Sequence, residues 1–254
     1  MLEEDGGPLC PARGGRAPAG SASRYDARTL TDTTAPISPA EASLMRVESA
    51  RYALLRRLSF AMRHNLVMHL QPIGMLTEVM ERRLRSATPD LGQVHDGMGK
   101  INNFSKAAVQ SCLDVISWLA PEPGATMPVQ EGVQDCMALL RSNFSFRGFN
   151  VRSEVEAAPQ PVGKSALRML LSGVLVALSD DTQAPADMTL RVTGDADVVK
   201  LEVRVERTQG DAGPMGELPY RPMKWAEIEA LARSEDVELQ RDETGAVLTF
   251  NVLE

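Results

Sequence analysis

Apolar residues fall into two long helical stripes in the first half of the chain and into strand-like alternation in the second. Between about residue 38 and Ser86 the only Gly or Pro residues after Pro39 are Pro72 and Gly74. Leu55, Leu58, Met62, Leu66, His69, Ile73, Leu76 and Met80 recur there at three- and four-residue spacing, with His69 the one polar member. That spacing is the buried stripe of an amphipathic helix. Its start is marked: Ser38 can cap, Pro39 suits the first helical position, and Glu41 completes a capping box. At ~1.5 Å per residue the helix would run roughly 70 Å, too long for a compact monomer and ordinary for a coiled bundle. Thr88-Pro89-Asp90 then opens a second helix with the stripe Leu91, Val94, Met98, Ile101, Phe104, Ala108, Cys112, Ile116 and Leu119. Pro121-Glu122-Pro123-Gly124 stops it. Two long helices joined by a tight turn form a hairpin. One hairpin leaves part of both stripes uncovered, whereas two make a four-helix bundle, so a homodimer is expected.

From residue 127 the pattern changes. A helix over about 131–146 leads through Arg147-Gly148 to a strand from Phe149 to Val155. An apolar helix follows over about 163–179, carrying Leu167, Leu170, Leu171, Val174 and Leu175. Met188 to Val192 and Val198 to Val205 alternate as strands, the second placing Val199, Leu201, Val203 and Val205 on one face. Residues 207–219 read as a loop. A helix near 222–234 and a hairpin, Val237 to Gln240 with Ala246 to Leu253 around Thr244-Gly245, complete the segment. Helices against a mixed sheet give a two-layer α/β sandwich. The fold class is therefore α+β, in three segments: a Gly-, Pro- and Ala-rich disordered tail over 1–37, a helical-hairpin dimerisation domain over 38–122, and an α/β domain over 127–254.

Composition narrows the function. The 254 residues carry 43% apolar side chains, 24% charged ones and a net charge of −7. An acidic balance argues against a nucleic-acid footprint, which needs a basic face. No apolar run reaches membrane-spanning length, and the first residues lack the features of a signal peptide. Cys10, Cys112 and Cys136 are scattered, which suggests neither a metal site nor a disulfide framework and fits a reduced, cytoplasmic setting.

The informative segment runs from Phe60 to Ile73. At 100° per residue, measured from Met62, Leu66, His69, Ile73 and Met80 fall within about 40° of zero, while His64 falls near 200°. His69 thus belongs to the buried face, as a core or interface histidine, and His64 points to solvent. The surface neighbours of His64 at helical spacing are Arg57, Phe60, Val67, Met68 and Gln71. Apolar Phe60, Val67 and Met68 around a polar centre suggest a partner-docking surface, although a wide apolar arc of a bundle helix would look the same.

The segment resembles the H-box of histidine kinases, H-E-[LI]-x-x-P-L-x-P-I. His64, Leu66, Leu70, Pro72 and Ile73 match at the right spacing, with Phe60 and Glu78 also in place. The resemblance implies a dimerisation and histidine-phosphotransfer hairpin with His64 as phosphoacceptor. It extends to the layout of 127–254, which is similar to the family's ATP-binding domain. Departures from the family pattern are as telling. The acidic residue that follows the family's histidine is here Asn65, which can hydrogen-bond but cannot act as a base near neutral pH. Aligned on Leu170 and Ala177, the family's two asparagines become Ser172 and Val176, and valine cannot ligate a hard cation. The Asp-x-Gly-x-Gly turn and the Gly-rich lid are missing. Gly163-Lys164-Ser165 lacks the upstream glycine of a phosphate-binding loop, Ala158 standing in its place, and reads as a helix start.

Taken together, the chain resembles the ChpT-like dimeric histidine phosphotransferases, which pair such a hairpin with an ATP-incompetent kinase-like domain. The resemblance implies no bound cofactor, the Mg²⁺ being supplied by a partner response-regulator receiver domain. The further expected partners are an upstream hybrid histidine kinase and a second copy of the chain. His64 would be the nucleophile, Asn65 its hydrogen-bond partner, and Arg63 with Arg57 would hold the phosphoryl group. Two rivals stand beside this reading: a non-catalytic dimeric regulator that binds a receiver domain or kinase, and an atypical active histidine kinase.

Overall fold

The computed structural model describes residues 37–120, 122–210 and 220–253. The expected tail lies outside the described residues except for Ile37, as does most of the 207–219 loop. Helix α1 runs from Pro39 to Leu84. The Ser38 hydroxyl accepts from the Glu41 backbone N–H at 3.2 Å, and the Glu41 carboxylate accepts from the Ser38 N–H at 2.9 Å. This reciprocal cap satisfies two of the orphan donors at the helix start, and its hydrogen bonds hold the Glu41 carboxyl below the usual range. Pro72 sits inside the helix without ending it. Helix α2, Leu91–Leu119, starts from Asp90, whose side chain accepts from the Gln93 N–H at 3.1 Å.

All eight residues of the α1 stripe are buried or half-buried. The α2 stripe is corrected by the structure. Within the chain, α2 turns Val94, Gly97, Ile101, Phe104, Ala108, Ser111, Val115 and Trp118 inward, while Leu91, Met98, Cys112, Ile116 and Leu119 are exposed. A Cβ at Gly97 would overlap the Met80 thioether, so the glycine lets the two helices approach closely near the turn. Helix α2 thus carries two apolar lines at three- and four-residue spacing, and α1 covers only one of them.

Strand β1 (Thr126–Pro128) is followed by α3 (Val129–Phe146), β2 (Phe149–Ser153), β3 (Pro161–Gly163) and α4 (Lys164–Asp181). Then come β4 (Ala186–Gly194), β5 (Val198–Arg207), α5 (Trp225–Ser234), β6 (Glu238–Arg241) and β7 (Gly245–Asn251). Among the described residues the main sheet has five strands in the order β2-β4-β5-β7-β6. β2 pairs parallel with β4, and the other pairs are antiparallel. Val199, Leu201 and Val203 of β5 are buried, whereas Lys200, Glu202 and Arg204 on its other face are more open, as in a two-layer arrangement. The sequence pattern does not anticipate the antiparallel β1–β3 pair, three residues per strand with a proline in each.

Helix α4 is the centre of the molecule. Every residue from Ala166 to Ser179 is buried. The sheet, α3 and α5 pack around it, and so does the N-terminal half of α1. Gly173 marks the crossing: a Cβ there would meet Ile228 of α5 at 3.0 Å and Leu54 of α1 at 3.6 Å. Val47, Ala50, Leu54, Leu58 and Met62 of α1, with Trp118 of α2, belong to the same apolar cluster as the sandwich. The sequence divides hairpin from sandwich at residues 122–127, but packing joins Ser38–Glu254 into one compact unit.

Candidate functional site

His64 lies on the exposed face of α1, and His69, five residues on, is half-buried. Around His64 the side chains of Phe60, Arg63, Val67, Met68 and Gln71 are also exposed. Three of the five are apolar, and the Arg63 guanidinium carbon sits 5.5 Å from the Phe60 ring centroid. An apolar collar around a solvent-facing imidazole is thus a property of the folded chain as well as of its helical wheel.

Two of the expected site residues are placed differently. Asn65 is half-buried and lines a small cavity with Ser111 and Asp114 of α2. It therefore occupies the interhelical side, not the solvent side that His64 occupies. Arg57 is the sharper correction. Its side chain is only 6% exposed, and its two terminal nitrogens donate to the Asp180 carboxylate at 2.6 and 2.8 Å. It also donates to the Arg221 carbonyl at 3.3 Å. A guanidinium committed in this way is a structural tie between α1 and the sandwich, not a free cation beside His64. The reason is tertiary: α4 ends opposite this turn of α1.

The Asp180 side chain is fully buried and heavily partnered. Besides Arg57 it accepts from Arg147 at 3.0 Å and from the Met223 backbone N–H at 2.9 Å. Arg147 also reaches the Ser179 hydroxyl at 2.7 Å. Burial lowers the Arg147 pKa and Asp180 opposes the shift. A buried carboxylate between two guanidiniums holds four parts of the chain together: α1, the α3–β2 turn, the end of α4 and the segment before α5. Next to this knot, the Arg56 guanidinium carbon stacks 4.3 Å from the Tyr220 ring centroid. Sequence reading missed Asp180, Arg147, Arg56 and Tyr220. The Arg147-Gly148 turn is visible in the sequence, but nothing there pairs it with a residue 33 positions on.

The helix that would correspond to the nucleotide-binding one has its face closed. Ser172 is fully buried and Val176 is 3% exposed, both within the apolar core. Cys136 of α3 lies in the same core, where burial pushes its thiol up to about 12. Among the described residues no group of three or more His, Cys, Asp or Glu is placed to hold a metal ion. No helix among them is long and apolar enough to cross a membrane.

No family model matches the sequence, and no curated protein matches it. Solved structures do match. A histidine kinase from Burkholderia phymatum STM815 aligns over 84% of this chain and 97% of its own, at 15% identity and TM-score 0.38. A bacterial phosphotransferase aligns over 78% and 95%, at 13% identity and TM-score 0.37. The Acinetobacter baumannii histidine kinase AdeS aligns over 70% and 94%, at 11% identity and TM-score 0.37. Overlaps this loose do not carry residue roles across to this chain.

Proposed function

We propose that this chain is a dimeric histidine phosphotransfer protein of two-component signalling, exchanging phosphoryl groups between His64 and an aspartyl phosphate on a receiver domain without using ATP. The observation that carries the reading is the placement of His64, exposed on α1 within the collar of Phe60, Arg63, Val67 and Met68. A ring nitrogen of His64 attacks phosphorus in line. The N–P bond forms, the P–O bond to the partner's aspartate breaks, and that carboxylate leaves with the bond's electron pair. Arg63 stands one residue away to offset phosphoryl charge. The receiver's own Mg²⁺ supplies the remaining stabilisation, so the chain needs to present only a nucleophile and a docking face. The sealed face of α4, with Ser172 and Val176 inside the core, supports a role without nucleotide. The exposed line on α2 supports pairing with a second copy. Placement of Asn65 toward α2, with no acidic residue beside His64 in sequence, favours one rival: a dimeric regulator that binds a receiver domain without phosphoryl chemistry.

Incubation with a phosphorylated receiver domain separates the two. Phosphotransfer predicts acid-labile phosphate on the wild-type chain and none on His64→Gln. The non-catalytic reading predicts no label on either and undiminished receiver binding by the variant.

A further inference from the structure

The Asp180 knot has a consequence for the surface that a partner meets. It fixes Met223, and with it the preceding Arg221 and Tyr220, against the side of α1 that bears Arg56, Phe60 and Arg63. The chain as a whole is acidic, at −7, yet this region is cationic. Among the described residues, three guanidiniums (Arg57, Arg147 and Arg221) pair with two carboxylates, Asp180 and Glu227, and Arg56 and Arg63 lie against aromatic rings. Acids further out already have their own partners, Glu235 with Arg51 and Asp181 with Arg241. Among the described residues, the side chains that meet Arg56 are aromatic: Tyr220 at 4.3 Å and Tyr52 at 5.6 Å from their ring centroids. Both Arg56 and Arg63 are exposed. Their guanidiniums are thus held against aromatic rings with charge left to offer, which favours a partner carrying carboxylates.

We propose that Arg56, Arg63 and Tyr220 form a preorganised cationic shelf beside His64, held in place by the Asp180 knot, that docks the acidic rim around a receiver domain's phosphorylation site. This rests on the phosphotransfer reading and adds to it a specificity-determining contribution from the α/β segment. Two features make the shelf suited to the task. The knot is buried, so little ordering entropy is left to lose when a partner binds. Clustered exposed cations on an otherwise acidic molecule steer an acidic face to one place, an effect that salt weakens.

Association kinetics with a beryllofluoride-activated receiver domain that loads His64 provide the test. Arg56→Glu is expected to slow association at least tenfold at low salt and to flatten its salt dependence. Arg82→Glu, an identical change of net charge on an exposed residue of α1 remote from the shelf, is expected to stay within twofold of wild type. Arg56→Lys keeps the charge and should recover most of the loss. Equal slowing by Arg56→Glu and Arg82→Glu, or no slowing by Arg56→Glu, overturns the shelf. Failure of any receiver domain to load wild-type His64 overturns the phosphotransfer reading instead, so the two outcomes are distinct.

Discussion

Asp180 shows how one side chain can tie a helix to a domain. Its side chain is fully buried and accepts from two guanidiniums and a backbone N–H. A pair of this kind contributes little relative to apolar residues of the same volume, but removing one member strands the other's charge. Asp180→Ala strands both Arg57 and Arg147 and is expected to cost about 3–5 kcal/mol, read as a lower midpoint in urea denaturation. The sequence could not assign this role. Periodicity places Arg57 on the same face as His64, where it reads as a surface cation. What covers the Arg57 turn, and not the His64 turn two further along, is the end of α4, about 120 residues away in the chain. His64 itself was legible, because the angle between it and the apolar stripe depends on helix geometry alone.

Elements are where the sequence pattern speaks most directly. The capping box at Ser38 and Glu41, the turn at Thr88-Pro89-Asp90 and the mixed sheet all follow from local chemistry and alternation. Gly74 tests how far that local logic extends. It lies in the interior of α1, is exposed, and a Cβ there would meet nothing within 4 Å. Gly74→Ala is therefore expected to raise stability by about 1 kcal/mol through reduced backbone entropy of the unfolded chain, measurable as an upward shift in thermal midpoint. Gly97, only 23 residues later, would not tolerate the same change, because its missing Cβ makes room for Met80. The sequence stripe on α2 has the right spacing but blends two faces of the helix. With Met98, Val109 and Ile116 apolar as well as Val94, Ile101 and Ala108, periodicity cannot say which line meets α1. The β1–β3 pair stayed hidden because three-residue strands rich in proline carry no alternation to detect.

At the scale of the whole molecule, two features stand out. One is a continuous core. Leu54 and Leu58 of α1 are fully buried in the same cluster as α4 and the sheet, so the hairpin and sandwich share apolar contacts that a division by sequence would separate. The other is unfinished burial: Met98, Val109, Leu113, Ile116 and Leu119 lie open along α2, each more than half exposed. A row of that kind along a long helix matches the seam of a second hairpin. We expect sedimentation equilibrium to report a dimer, and Val109→Glu combined with Ile116→Glu to yield a monomer with unchanged helical content. A wild-type monomer would remove the four-helix bundle from the account.

By itself the sequence determined what depends on near neighbours in the chain. It set where helices begin, which arc of α1 is apolar, that His64 faces away from that arc, and that the second half builds a mixed sheet with helices. These follow from 3.6- and 2-residue periods and from capping chemistry, which span only a few residues. Tertiary structure decided everything that needs two distant segments to meet. It chose which face of α2 is covered, turned Arg57 from a surface cation into a buried tie, brought Tyr220 onto Arg56, and sealed Ser172 and Val176 inside the core. Burial and charge pairing are properties of contact, and a one-dimensional pattern records only the candidates for it.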